Sequence, residues 1–240
     1  MARLNLLVAR SSHPTGRILQ GILEERGHTI SSNHAQGVVS YGVHYTGRLP
    51  SLNAGAGAHN KLQELQVLRR AKVPVIRVAE TPERGPFPLL ARRVHHHGGT
   101  DIRIANTPRG VRFRLANGWN YFTIMEESDR EVRCWVFGDR HLGTYEKVQR
   151  HPRRTRRFGR NYANGWAFEL LHEGAIPRAA VDVASHAIAA LGLDFGAVDI
   201  LHSPKGWLAL EVNTAPGVEG EARQCIQGLA ARIDHWAQRL

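Results

Sequence analysis

The sequence predicts an α/β protein, and three observations lead to this class. An apolar run at residues 4–9, a helix signal from Pro14 to about residue 26, and a short apolar strand at 38–41 form a β-α-β start. Helices with one apolar face alternate with strands and turn signals through the rest of the chain. With 240 residues, of which 42% are hydrophobic, the chain can bury a core of this kind in two or three lobes.

The first helix is expected to have Ser12 as its N-cap and to end at Gly27, and residues 42–58 are expected to form a linker. The other predicted helices lie at 60–71, 179–191 and 220–240. Strands are predicted after a turn at 73–75 and at 87–94, 112–115, 121–125, 132–137, 141–145, 195–201 and 207–212. These elements divide into three predicted lobes, residues 1–58, 59–125 and 126–240.

Charge and cysteine content narrow the class of protein. The net charge is +11, from 28 Arg and only 4 Lys against 21 acidic residues, which favours anionic partners such as nucleotides, acidic substrates or nucleic acid. Two cysteines, Cys134 and Cys225, cannot form a disulfide framework, and no apolar stretch has the length of a membrane span or a secretory signal. We therefore expect a cytoplasmic, reduced protein without a membrane partner.

The strongest chemical signal is the hairpin predicted at residues 193–217. Glu211 and Asn213 are two apart on one strand and point to the same face, and the hairpin brings Asp199 beside them. Two carboxylates and an amide oxygen are ligands that suit Mg²⁺. The alternative is that the two acids lie on the solvent side of an amphipathic hairpin, but apolar neighbours on both faces make that arrangement costly.

This hairpin resembles the C-terminal motif of ATP-grasp ligases, in particular the RimK-like group that includes ribosomal-protein glutamate ligases. The resemblance extends over about residues 58–225. It implies an ATP-grasp fold, in which ATP lies between two α+β lobes (59–125 and 126–240) beside a small N-terminal α/β lobe. It also implies ATP and Mg²⁺ or Mn²⁺ as cofactors and the activity of a carboxylate–amine ligase, which forms an amide through an acylphosphate and releases ADP and phosphate. Asp199, Glu211 and Asn213 match the metal ligands of the family.

The same resemblance assigns further residues to the nucleotide. Lys61 matches a phosphate-contacting lysine at a helix start, and Arg92, or else Arg93, replaces the lysine that ends the next strand. The family's adenine hinge, ribose carboxylate, basic strand residue and triphosphate loop correspond to Met125, Glu126, Glu127, Glu131, Lys147 and Arg160, with Asn164 a weaker candidate in that loop. Arg92 and Arg160 are the expected catalytic residues, because they can neutralise the phosphoryl group as it is transferred.

Two basic segments remain open to several interpretations. His95, His96 and His97 precede Gly98-Gly99 in the expected phosphate flap, where one histidine could touch phosphate, whereas adjacent residues point to opposite sides and disfavour zinc. The six arginines of residues 150–160 suit a solvated loop, a loop that closes over ATP or an acidic substrate, or, less well, nucleic acid.

The chemistry of the partner is less defined than that of the site. We expect an amino acid, peptide or protein acceptor, with acidic groups favoured by the positive charge, and the sequence is compatible with a homo-oligomer. The alternatives to a ligase are an ATP-grasp phosphotransferase and a nucleotide- or nucleic-acid-binding module without catalysis.

Overall fold

A parallel four-stranded sheet forms the N-terminal lobe of the computed structural model, which describes residues 1–9, 13–94, 102–150, 159–161, 164–217 and 223–240. Its strand order is β2-β1-β3-β4, with bounds β1 Arg3–Val8, β2 Thr29–Ile30, β3 Gly37–Tyr41 and β4 Ser51–Leu52. The prediction that Ser12 caps the first helix is wrong, since helix α1 (Pro14–Glu25) has His13 as its N-cap and the imidazole accepts the N–H of Gly16; Ser12 itself lies outside the described residues.

The predicted linker at 42–58 is more structured than its composition suggests. It contains β4. Asn53 also connects it to a distant part of the sequence, because its side-chain oxygen accepts the backbone N–H groups of Asp194 and Phe195 at 2.9 and 3.0 Å. Asn53 takes the left-handed conformation with φ of 61°, which asparagine tolerates better than most residues. These hydrogen bonds therefore tie residues 42–58 to Asp194 and Phe195.

A three-stranded antiparallel sheet, of order β6-β5-β7, follows helix α2 (Lys61–Arg70). Its strands are β5 Leu89–Arg92, β6 Arg103–Ala105 and β7 Tyr121–Ile124. The predicted strand at 112–115 is wrong, because this segment belongs to helix α3 (Pro108–Ala116), which Thr107 caps through the N–H of Gly110. The strand expected after 73–75 is also absent, and Val75 makes only a single parallel bridge to Ala209.

The largest sheet has five antiparallel strands in the order β10-β9-β8-β11-β12. Their bounds are β8 Glu131–Phe137, β9 Arg140–Gln149, β10 Trp166–Leu170, β11 Phe195–Ser203 and β12 Gly206–Asn213. Helices α4 (Arg178–Ala190) and α5 (Arg223–Ala237) complete the chain. Among the described residues, no helix is both long and apolar enough to cross a membrane.

The two faces of this sheet differ in character. One face packs on α4 through a continuous apolar core that includes Val132, Val198 and Val212. The other face is divided: its apolar part, around Trp135 and Phe195, packs on α5 and the N-terminal lobe, and the rest carries charged side chains. Three of these charged residues, Glu131, Lys147 and Asp199, are therefore buried.

Candidate functional site

The register of the β11–β12 hairpin brings the three oxygen-bearing residues to one face. Asp199 lies directly opposite Glu211, and Asn213 lies opposite Ala197. Because Ile200 pairs with Ala209, the extra residue Leu210 forms a bulge, and without this bulge Leu210 would take the place of Glu211 opposite Asp199. The bulge therefore decides which side chain of β12 faces the carboxylate of Asp199.

Two cations flank Asp199, of which Lys147 is buried and Arg133 is partly buried. The guanidinium of Arg133 donates to both carboxylate oxygens, with Nε–Oδ1 of 2.6 Å and Nη2–Oδ2 of 2.9 Å, and Lys147 Nζ donates to Oδ2 at 2.9 Å. Lys147 also contacts Glu131 Oε1 at 2.5 Å, and Arg160 Nε lies 3.6 Å from Glu131 Oε2. We call Arg133, Asp199, Lys147, Glu131 and Arg160 the ionic network. It brings four of the predicted residues together.

The ionic network keeps the carboxylate of Asp199 ionised. Burial favours the neutral form of Asp199, but the adjacent charges of Arg133 and Lys147 outweigh burial and hold the pKa of this carboxyl well below its usual range. Burial likewise opposes the charge of Lys147, yet Asp199 and Glu131 raise its pKa above the ordinary value. The ion pairs of Asp199 with Arg133 and Lys147 are therefore present across the physiological pH range.

A cavity of about 640 Å³ opens beside the ionic network, between β12 and the N-terminal lobe. Lys61 lines it together with Glu211 and Asn213, and Lys61 Nζ lies 4.0 Å from Glu211 Oε2 and 3.5 Å from Glu64 Oε2. Burial acts against the charge of Glu211, but Lys61 lowers the pKa of this carboxyl below the ordinary value. Lys61 thus neutralises acids of the hairpin as well as facing the cavity.

Arg92 is the last residue of β5 in the three-stranded sheet. It is buried, its Nε donates to Thr123 Oγ1 at 3.1 Å, and it pairs in register with Tyr121. Burial raises the pKa of Tyr121, and the nearby charges that act on this hydroxyl include Arg92, Glu211 and Lys61. Arg93 lies over the ring of Trp119 instead. Of the two arginines considered for the strand end, Arg92 is the one beside the hairpin.

The predicted hinge lies apart from the buried charges. Met125, Glu126 and Glu127 connect β7 to β8, and the side chains of Met125 and Glu127 are exposed. The carboxylate of Glu126 accepts from Arg77 Nε at 2.9 Å and Lys205 Nζ at 3.1 Å. The segment joins the two sheets, and the Glu126 carboxylate is held by protein cations.

Arg133 and Glu64 are the two charged residues of the site that sequence reasoning missed. For Arg133 a signal existed: Glu131 and Arg133 are two apart in a strand that is otherwise apolar, so both charges must share a face with a partner. Glu64 gave no comparable signal, because its partner Val212 is 148 residues away. His95–His97, Gly98, Gly99 and residues 151–158 lie outside the described residues.

The donor set fits a hard divalent cation that shares its ligands with phosphate. No cluster of three or more His, Cys, Asp or Glu side chains suited to a metal ion occurs in the described part of the chain, so the protein does not form a closed cage there. The amide nitrogen of Asn213 is buried and makes no hydrogen bond with the described residues. Its nitrogen is therefore not used to hold the fold. Two carboxylates and an amide oxygen suit Mg²⁺, which takes few ligands from a protein when phosphates supply others.

Comparison with known proteins also indicates an ATP-grasp domain. Residues 119–236 match the family model of the RimK-like ATP-grasp domain. A probable alpha-L-glutamate ligase of Sodalis glossinidius is 32% identical over 180 residues, which are 68% of this chain and 58% of that relative. A ribosomal protein bS6–L-glutamate ligase of Escherichia fergusonii is 27% identical over 201 residues, covering 77% of this chain and 65% of that relative. The chain thus spans about three fifths of the length of these curated relatives.

The fold of the whole chain is shared with solved ATP-grasp structures. The ATP-grasp ligase PsnB, solved with a minimal precursor, Mg and ADP, superposes with a TM-score of 0.71 at 13% sequence identity, covering 98% of this chain and 97% of that one. At this identity the likeness concerns the fold, and it confirms the predicted fold class.

Proposed function

We propose that this chain, which has the ATP-grasp fold and whose residues 119–236 match the RimK-like ATP-grasp domain, is an ATP-dependent carboxylate–amine ligase. One observation carries the proposal: the hairpin presents Asp199, Glu211 and Asn213 on one face, beside buried cations and next to a cavity. A site of this charge pattern suits a metal-bound polyphosphate, because it combines oxygen ligands with positive charges at short range.

In the proposed reaction, a substrate carboxylate oxygen attacks the γ-phosphorus of ATP and ADP leaves. The acylphosphate is then attacked by an amine nitrogen, which forms the C–N bond as phosphate leaves and a proton is lost from the amine. Mg²⁺, or Mn²⁺, held by Asp199, Glu211 and Asn213, would supply charge neutralisation on the phosphate oxygens. No side-chain nucleophile is required, because the acyl group is activated by phosphate itself.

The remaining residues have proposed roles in binding and charge neutralisation. Lys61, Arg92 and Arg160 neutralise the phosphates, and Lys147 and Arg133 keep Asp199 ionised through their short contacts. The backbone of Met125, Glu126 and Glu127 reads the adenine, and Glu131 holds the ribose. The pairing of Glu131 with Lys147 orients this carboxylate, since the 2.5 Å contact occupies one of its two oxygens and leaves acceptor capacity on the carboxylate.

For the substrate we propose an amino acid joined to a peptide or protein acceptor. The names of the relatives from Sodalis glossinidius and Escherichia fergusonii specify glutamate, and the second specifies a ribosomal protein. A net charge of +11 favours acidic groups on the substrate or acceptor of this chain. A cytoplasmic site of action, where ATP and amino acids are available, follows from the same proposal.

The proposal is tested by ADP release in the presence of Mg²⁺, and separately Mn²⁺, with a panel of amino acids and acidic peptides, followed by mass analysis of the products. A ligase gives ADP that depends on both substrates and a product heavier by one amino-acid residue. A phosphorylated product without an amide would identify the phosphotransferase alternative. Tight ATP binding without ADP release for any pair would identify a binding module.

A further inference from the structure

Two side chains of helix α2 hold the backbone of one residue in β12. The N–H of Val212 donates to Glu64 Oε1 at 2.6 Å, and the carbonyl of Val212 accepts from Lys61 Nζ at 2.9 Å. Glu64 and Lys61 are three apart on the helix and therefore lie on the same side of it. Both hydrogen-bonding groups of a single strand residue are thus bound by one helix.

This contact replaces a missing strand. β12 is at the edge of its sheet, where outward backbone groups need other partners. Before the bulge at Leu210, the backbone of residues 74–76 supplies them, with Ala209 N–H donating to Pro74 O and Ile76 N–H donating to Ala209 O. Beyond the bulge, no backbone of the described residues pairs with the outer side of Val212, and Glu64 and Lys61 take that place.

The position of Val212 gives this contact a consequence for the site. Val212 lies between Glu211 and Asn213, so fixing its peptide groups fixes the directions in which these two side chains leave the strand. Glu64 also attracts Lys61, whose Nζ is nearer to Glu64 Oε2, at 3.5 Å, than to Glu211 Oε2, at 4.0 Å. Glu211 therefore shares the charge of Lys61 with Glu64.

The helix is well suited to hold this arrangement. Asn60 and Gln63 form a capping box at its start, and Leu65 and Leu68 are buried on its apolar side. Glu64 is only 6% exposed, a costly position for a carboxylate unless its oxygens are bound. One oxygen binds the strand and the other faces Lys61, which explains why an acid is tolerated there.

We infer that Glu64 is a positioning residue of the metal site: it fixes Glu211 and Asn213 through Val212 and shares the charge of Lys61 with Glu211. This inference rests on the proposed function, because it assumes that Glu211 and Asn213 bind the cation. Glu64 also lines the cavity, but in this scheme it acts on the site through Val212 and Lys61.

The test is to measure Mn²⁺ binding by electron paramagnetic resonance in the presence of ADP, and ADP binding by calorimetry in EDTA. The variants are Glu64→Ala and Glu64→Gln, with Glu80→Gln as a matched control, since Glu80 is exposed and pairs only with Arg69 among the described residues. We expect Mn²⁺ affinity to fall by about tenfold or more in E64A, the size usual for a lost outer partner of a metal ligand. Metal-free ADP binding should change little.

E64Q keeps an oxygen for the Val212 N–H but loses the charge that holds Lys61, so we expect a smaller loss of Mn²⁺ affinity, about threefold. It also serves if E64A does not fold. Mn²⁺ affinity equal to wild type in folded E64Q, or an equal loss of metal-bound and metal-free ADP binding, overturns the role of Glu64 alone. A wild-type protein that binds no Mn²⁺ with ADP overturns both this role and the proposed function.

Discussion

Asp199 and Glu126 are both carboxylates held between two cations, but they lie in very different surroundings. Asp199 is on a central strand, its side chain is 5% exposed, and its partner Lys147 is 4% exposed. Glu126 is in the segment between the two sheets, and its side chain is also only 7% exposed, but its partners Arg77 and Lys205 are 54% and 55% exposed. The two carboxylates thus differ in the solvent exposure of their cations.

The difference in solvent exposure indicates which charges matter most for stability and activity. Removal of a buried cation costs a carboxylate far more free energy than removal of an exposed cation, because solvent and salt can replace an exposed partner. For Glu126, burial of the carboxylate opposes ionisation and the hydrogen bonds from Arg77 and Lys205 lower its pKa. We therefore expect the ionic network to control stability and activity, and the pairs of Glu126 to adjust only the position of the hinge.

The largest effect is expected for Asp199→Asn. The substitution removes the negative charge of a proposed metal ligand and leaves Arg133 and Lys147 without their shared anion, so amide-forming activity should fall by roughly 100- to 1,000-fold, equivalent to about 3–4 kcal/mol of transition-state stabilisation. Steady-state ADP release measures this. If D199N retains more than half of the wild-type kcat while folded, the hairpin is not the metal site.

The next effect is on stability, in Arg133→Ala. Removing one partner of a buried ion pair should lower the free energy of unfolding by about 3 kcal/mol at neutral pH. The folded pKa of Asp199 is depressed, so its contribution is present above the unfolded pKa and is lost as pH falls through the folded one. The difference between R133A and wild type should therefore shrink below about pH 4.

Urea denaturation across pH, followed by tryptophan fluorescence, measures this difference. Arg69→Ala is the matched control, since Arg69 pairs with Glu80 where both side chains are mostly exposed, and it should cost no more than about 1 kcal/mol. A loss in R133A that is as small as in R69A, or that grows as the pH falls, would contradict the picture of a buried, ionised Asp199.

The smallest effect is expected for Glu126→Gln. Its two cations are more than half exposed, so the variant should change the free energy of unfolding by about 1 kcal/mol or less, and the KM for ATP by no more than about threefold. Calorimetric ATP binding and kinetics check both values. A loss of ATP binding as large as that of D199N would make the Glu126 side chain itself a ligand contact and remove the contrast between the two regions.

The parts that could be predicted from the sequence are those governed by local pattern. The two-residue spacing of Glu211 and Asn213, together with a turn at 203–206, predicted the hairpin because strand periodicity is local. The alternation at 112–115 led to the wrong prediction of a strand, since Thr107 and Pro108 begin a helix there and only Val111 is buried in it. A four-residue pattern is too short to separate the two periods.

The missed features depend on distant parts of the chain. The bulge at Leu210 and the contact of Glu64 with Val212 follow from how α2 packs on the edge of β12, which no local pattern encodes. The resemblance to the ATP-grasp family predicted Lys61 as a phosphate contact, and this role stays a prediction. Its bond to the Val212 carbonyl is a second role that only the packed structure shows.

The most direct test of the central claim is to locate the cation. Crystals grown with Mn²⁺ and a non-hydrolysable ATP analogue would give an anomalous signal from the metal alone. The account predicts a peak about 2.0–2.3 Å from oxygens of Glu211, Asn213 and Asp199, and from the analogue's phosphates. A peak elsewhere, or nucleotide bound with no metal at this hairpin, would contradict it.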